Sequence, residues 1–218
     1  FLVRVFDAWV RRDVGQVFVQ PFDVALGAWT GQEPALCVSA PTCGRALVME
    51  SNGDVYACDH FVYPQYRLGN VHQTPIRQLV EAPAQRRFGQ DKRDALPPVC
   101  RACDYLFACN GGCPKHRFVR DATGTPGLNY LCGSYRAFFA HVDPYMRAMA
   151  ALLERGLPPA ALMEQVRRDD AAAAAAPRVH IVEGEGGMTP GRVGEAMAAA
   201  GTACLKNAIL HVDWNQAS

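Results

Sequence analysis

Eight cysteines stand in one ordered series: Cys37-x5-Cys43-x14-Cys58, then Cys100-x2-Cys103-x5-Cys109-x3-Cys113, then Cys132. Eight soft thiolates within about a hundred residues make two complete four-thiolate sites, and such sites hold iron–sulfur clusters or zinc. Spacing alone leaves the choice open. Zinc modules usually pair two close-spaced knuckles, and only Cys100-x2-Cys103 has that form here. Clusters accept looser intervals, because each corner iron takes one protein thiolate. Disulfides are a third reading, disfavoured in a reducing compartment. The ninth cysteine, Cys204, lies far outside the series and reads as a small buried residue.

The 218 residues are half hydrophobic, with 22 basic and 21 acidic side chains and a net charge of +1. That balance gives no support for nucleic acid or an acidic membrane surface as an electrostatic partner. No apolar run approaches the length of a membrane span, and Phe1-Leu2-Val3-Arg4-Val5-Phe6 lacks a signal-peptide layout. The expectation is a cytoplasmic protein. The chain opens on Phe1 inside a helical pattern and stops soon after an apolar stretch, so it reads as a fragment.

The elements that must aim the thiols are partly legible. Residues 1–12 read as an amphipathic helix with Phe1, Val5, Ala8, Trp9 and Val10 on one face. Residues 17–29 read as a strand followed by a loop. Arg45–Glu50 and Val55–Cys58, joined by Ser51-Asn52-Gly53-Asp54, read as a hairpin whose Asn-Gly supplies the turn; Cys58 then ends a strand, with Asp59 just past it. Thr74-Pro75 should open a helix burying Ile76, Leu79 and Val80. Residues 96–127 read as loops, bent by Pro97-Pro98 and Gly111-Gly112. A long helix over about 128–155 carries Cys132 on its first turn, keeps Leu131, Tyr135, Phe138, Phe139, Val142, Met146, Met149 and Leu153 at helical spacing, and contains Pro144, which should kink it. After a short helical piece at 160–168, Ala171–Ala176 reads as linker. Residues 179–182, about 190–200 and 208–213 then read as strand, helix and strand, the seed of a parallel α/β sheet.

The cysteine series resembles a known family when taken together with four further motifs. These are Gly53-Asp54-Val55-Tyr56-Ala57-Cys58-Asp59-His60, Leu68-Gly69-Asn70-Val71, Cys109-Asn110-Gly111-Gly112-Cys113-Pro114-Lys115 and Leu128-Asn129-Tyr130-Leu131-Cys132. Over roughly residues 1–150 they resemble the SPASM region of anaerobic sulfatase-maturating radical SAM enzymes. The resemblance implies an α+β chain: the end of a radical SAM core at 1–30, a SPASM domain at 31–156 and an Ala-rich linker at 157–177. It implies two auxiliary 4Fe-4S clusters, one on Cys37, Cys43, Cys58 and Cys113 and one on Cys100, Cys103, Cys109 and Cys132. Full ligation of that kind leaves no iron open for SAM. Oxidation of a sulfatase Cys or Ser to formylglycine would be the reaction, and Asp59 would be the proton acceptor. Without the family motif, Asp59 would read as a loop cap. His60 reads as a loop histidine bonded to backbone. A nascent sulfatase peptide and an electron donor such as flavodoxin or ferredoxin would be the partners. The C-x3-C-x2-C triad that cleaves S-adenosylmethionine is not in the sequence, so SAM chemistry would require the full-length enzyme. The alternative is a two-zinc module used for protein contacts.

The remaining stretch, 178–218, resembles the start of a transketolase-type thiamine-diphosphate motif, from Gly184-Glu185-Gly186-Gly187 to Val212-Asp213-Trp214-Asn215. By position Glu185 and Asn215 would ligate Mg²⁺ beside the diphosphate, with Glu185 standing where that family has Asp. A sliver of one half-site implies no thiamine chemistry in this chain. A joined fragment and a genuine fusion both stay open.

Overall fold

The computed structural model describes residues 1–175 and the backbone of two further strands, Val179–Glu183 and Ala208–Val212. The chain is α+β and divides into two compact units, Phe1–Met163 and Glu164–Ser218.

The first unit is founded on three helices. Helix α1 (Leu2–Arg12) buries Phe6, Trp9 and Val10; of the expected face only Trp9 and Val10 are buried, Phe1 is exposed, and Phe6 turns inward instead. Helix α2 (Gln20–Trp29) occupies the segment expected to be a strand and loop. The correction has a physical cause. Pro21 falls in the first turn, where its missing N–H costs nothing, and Phe22, Ala25 and Ala28 then recur at helical spacing and are buried. Both helices pack on α7 (Cys132–Glu154), which runs through Pro144 as one assigned helix. Phe22 meets Phe6 edge-on at 5.2 Å and stacks on Phe138 at 6.0 Å. Val142, Met146 and Met149 are fully buried beneath them, whereas Leu153 is exposed. Two polar contacts tie the helices across the sequence: Trp29 Nε1–H donates to Asp143 Oδ1 at 2.8 Å, and His141 Nε2 lies 2.6 Å from Asp7 Oδ1.

Between α2 and α7 the cysteine-bearing chain folds as a small antiparallel sheet and a set of short turns. Strands β1 (Val48–Met49), β2 (Asp54–Tyr56) and β3 (Arg67–Asn70) pair in that order, with Val48 opposite Tyr56 and Val55 opposite Gly69. The hairpin turn closes through Gly53 N–H to Glu50 O at 2.9 Å, and Gly53 alone takes positive φ (+85°) there. This is a type I turn with a glycine bulge rather than a two-residue turn. Strand β2 ends at Tyr56, and Cys58 follows in extended backbone as the cap of a 3-10 turn, Asp59–Phe61.

Helix α3 (Ile76–Val80) buries Leu79 only; Ile76 and Val80 are exposed, against expectation. Helix α4 (Pro83–Asp94) follows and buries Gln85, Gly89 and Lys92. The stretch read as loop contains two single-turn helices, α5 (Pro98–Arg101) and α6 (Leu106–Cys109), and a hairpin of β4 (Val119–Arg120) with β5 (Pro126–Leu128). In the second unit, α8 (Leu162–Ala175) continues through the alanine run read as linker. Strands β6 (Val179–Glu183) and β7 (Ala208–Val212) pair in parallel, Val179 opposite Ala208. The helix expected between them, Cys204, Glu185 and Asn215 lie outside the described residues.

Candidate metal centres

The eight thiols of the series are free. Burial raises the Cys43 thiol, and the nearby charges of Cys37 and Cys113 raise it further. Burial likewise raises Cys58 to about 11, with Cys113 again among the neighbours that push it up. Further along the chain, Cys109 is raised to about 11 by burial and then by Cys100, Cys132 and Cys103. Cys100 is raised by burial, Cys132 and Cys103, and Cys132 by burial and Cys103. Thiols that feel one another at this strength are near neighbours. Cys43 is thus within electrostatic reach of Cys37 and Cys113, and Cys58 of Cys113, which makes these four a candidate first set; Cys100, Cys103, Cys109 and Cys132 line one cavity and form a candidate second set.

The local backbone explains how Cys109 and Cys113, four residues apart, join different sets. Asn110, Gly111 and Gly112 all take left-handed φ (+46°, +71° and +62°). Such a run is open only to glycine and, at the helix end, asparagine, and it reverses the chain between the two thiols. The carbonyls exposed by the reversal are capped from one side chain. Arg117 donates to Asn110 O at 2.9 Å, Gly111 O at 3.0 Å and Gly112 O at 3.2 Å, and also to Lys92 O at 2.6 Å. Buried Asn129 adds a bond to Gly111 O at 3.2 Å and receives Leu131 N–H at 2.9 Å, fixing the entry to α7 and hence Cys132.

The first set is backed by α4. Gly89 touches the Cys43 loop so closely that a Cβ would lie 2.3 Å from Cys43 O, and Gly89 O accepts Cys43 N–H at 3.2 Å. Gln85 Nε2 donates to Gly44 O at 2.7 Å and Ala57 O at 3.0 Å, joining the two cysteine-bearing loops. Lys92 is 1 % exposed, and its ammonium donates to the carbonyls of Cys37 (2.6 Å), Val38 (3.2 Å) and Ala40. Burial lowers Lys92 to about 8, with the Cys43 and Cys37 thiolates pulling the other way.

Asp59 lies at the rim of this set, its side chain 68 % exposed. Its Oδ1 accepts the Cys58 thiol at 3.1 Å and the His60 amide at 3.0 Å, and the thiol bond and His60 hold the carboxyl below its usual range. The ring of His60 is not bonded to backbone as expected: Nδ1 lies 3.5 Å from Cys113 Sγ. Lys115 sits beside them, its ammonium 2.5 Å from Tyr63 Oη and over the Phe61 and Tyr63 rings. Cys58, Asp59 and His60 also bring ligand atoms within 4.8 Å of one another, but Cys58 is already a member of the thiol set.

The second set opens on a cavity of about 280 Å³ lined by all four of its cysteines, with Tyr105, Tyr135 and Phe139 among the walls. Trp29 supports that wall from α2, 4.7 Å from Phe107 and 5.9 Å from Phe139. A lone zinc ion sits at about 2.3 Å from each sulfur and needs no such space. All-thiolate donors on an open cavity, with half-buried Arg117 close to Cys100 and Cys109, fit an anionic iron–sulfur cluster.

Sequence reasoning found the eight cysteines and Asp59 but missed Lys92, Arg117, Gln85 and Gly89. No helix among the described residues is long and apolar enough to cross a membrane.

Comparison with known proteins agrees with this geometry. Residues 37–104 match SPASM, an iron–sulfur cluster-binding domain. The chain is 49 % identical over 167 residues to a serine-type anaerobic sulfatase-maturating enzyme of Bacteroides thetaiotaomicron, covering 77 % of this chain and 40 % of that protein. It is 30 % identical to a cysteine-type anaerobic sulfatase-maturating enzyme of Clostridium perfringens, over 66 % of this chain and 39 % of that protein. Among solved structures, native anSMEcpe with bound AdoMet and Kp18Cys peptide superposes with a TM-score of 0.60 at 30 % identity, over 69 % of this chain and 42 % of that one. The chain thus spans less than half the length of each of these relatives.

Proposed function

We propose that the chain carries the SPASM region of an anaerobic sulfatase-maturating enzyme and holds the two auxiliary 4Fe-4S clusters of a formylglycine-forming maturase. Cys37, Cys43, Cys58 and Cys113 would hold the first, and Cys100, Cys103, Cys109 and Cys132 the second. When bound, the clusters supply a one-electron acceptor rather than a SAM-binding iron, since four thiolates leave no open corner. Residues 1–30 would close the radical SAM core and residues 31–156 would be the cluster domain. The observation that carries the reading is the match of residues 37–104 to an iron–sulfur cluster-binding domain, with Cys100, Cys103, Cys109 and Cys132 lining one cavity.

Asp59 has the role of proton acceptor. Removing one hydrogen atom and one electron from the substrate Cβ must be matched by loss of the hydroxyl or thiol proton, and a carboxylate at the rim of the first set can take it. As an exposed carboxylate it is ionised at neutral pH and needs no special shift to be so. The substrate is a Cys- or Ser-bearing sulfatase peptide. Electrons for SAM cleavage would come from a flavodoxin or ferredoxin to a core in the same polypeptide, in a reducing compartment. Anaerobic reconstitution followed by metal analysis and visible spectroscopy tests the cluster assignment. About eight irons per chain with brown absorption are expected; a colourless protein with two zincs would overturn it in favour of a structural zinc module.

A further inference from the structure

Two cations stand beside the thiol sets, Lys92 buried and Arg117 half-buried. Among the described residues no carboxylate pairs with Lys92, so its charge has been taken from water without a protein counter-ion, an arrangement that is costly unless something negative compensates it. All three of its acceptors are main-chain carbonyls of residues 37–40. An ammonium has three donors, and here each is used on the loop that presents Cys37. The charges it feels are Cys43, Cys37 and Cys113, three members of the first set. Arg117, by contrast, faces cysteines of both sets: Cys100, Cys109, Cys43 and Cys113. The two are linked, because Arg117 donates to the carbonyl of Lys92.

We propose that Lys92 is a positioning residue with two effects: it pins the Cys37 loop, and it is the fixed countercharge that makes the first cluster easier to reduce than the second. The inference rests on the two-cluster reading above. A fixed positive charge favours the more negative, reduced state of a nearby cluster, and net charge is one of the factors that set such potentials. Because Arg117 is shared and Lys92 is not, the asymmetry between the sites resides in Lys92. An electron released beside Asp59 would then find its best acceptor in the adjacent first site.

The test is a potentiometric titration of each cluster alone, followed by electron paramagnetic resonance. In protein whose second set is disabled by Cys100→Ala and Cys103→Ala, Lys92→Met should lower the midpoint so that the reduced-to-oxidised ratio at fixed potential falls at least tenfold, 59 mV for one electron. In protein whose first set is disabled by Cys37→Ala and Cys43→Ala, the same substitution should move the second cluster by less than half as much. Lys92→Gln keeps a donor for the carbonyls without the charge and should reproduce the fall. Unchanged midpoints with iron retained would overturn the countercharge role. If neither charge-free variant holds the first cluster, Lys92→Arg decides: retained iron with the parent midpoint supports the role, and lost iron overturns it. Failure of the two-cluster reading would look different, as parent protein that binds no iron.

Discussion

The chemistry depends on a few side chains whose surroundings set their use. Asp59, the proposed proton acceptor, follows Cys58 in a turn and keeps most of its side chain in solvent. Asp59→Asn, in a chain that also carries a radical SAM core, should cut formylglycine yield by about 10²- to 10⁴-fold with iron content unchanged. An unaltered yield would remove the assignment. Gly89 makes a contrasting prediction. Alanine in a helix is ordinarily favoured over glycine by about 1 kcal/mol, but a Cβ here would meet Cys43 O at 2.3 Å. Gly89→Ala should therefore destabilise the fold by about 1–3 kcal/mol in denaturant unfolding and loosen the first site; a more stable variant would show that α4 does not approach the Cys43 loop so closely. The cysteines and Asp59 were legible because their types and order are unusual. Lys92 was not, since Arg86, Arg87, Asp91, Arg93 and Asp94 around it look like a solvated charge run.

Helices and strands show a matching division. The α1 and α7 patterns were readable because apolar residues recur at helical spacing over three turns or more. Helix α2 was misread because Val17-Phe18-Val19 favours strand and Pro21 resembles a breaker. In the fold, Phe18 is exposed and Pro21 starts a helix. Helix α4 gave no apolar signal at all: its inward face is Gln85, Gly89 and Lys92, chosen for hydrogen bonds and close approach to cysteine loops. The misread element is also one that supports the second site, through Trp29. Phe22→Ala would remove a ring that contacts Phe6, Trp9 and Phe138 and should cost about 3–5 kcal/mol in the same unfolding measurement. A loss below about 1 kcal/mol would place α2 outside the core, contrary to the burial of Phe22.

Across the whole molecule, the helical base and the cysteine loops hold one another in place. Cys37 and Cys43 lie between α2 and the sheet, Cys58 lies between the second and third strands of the sheet, and Cys113 comes only after Cys100, Cys103 and Cys109 of the proposed second set. Interlocking of this kind makes folding and metal loading one event, since ligands far apart in sequence gain their geometry only together. The proposed pairing also makes a sharp distinction between neighbours: it puts Cys113 with Cys58, fifty-five residues earlier, and not with Cys109. Paired substitutions expose that wiring directly in the anaerobically reconstituted chain. Cys58→Ala with Cys113→Ala should abolish a single cluster and leave about four irons, whereas Cys58→Ala with Cys109→Ala should abolish both and leave almost none. If the first pair instead strips all the iron, or the second pair keeps four, the two interleaved centres do not exist as described.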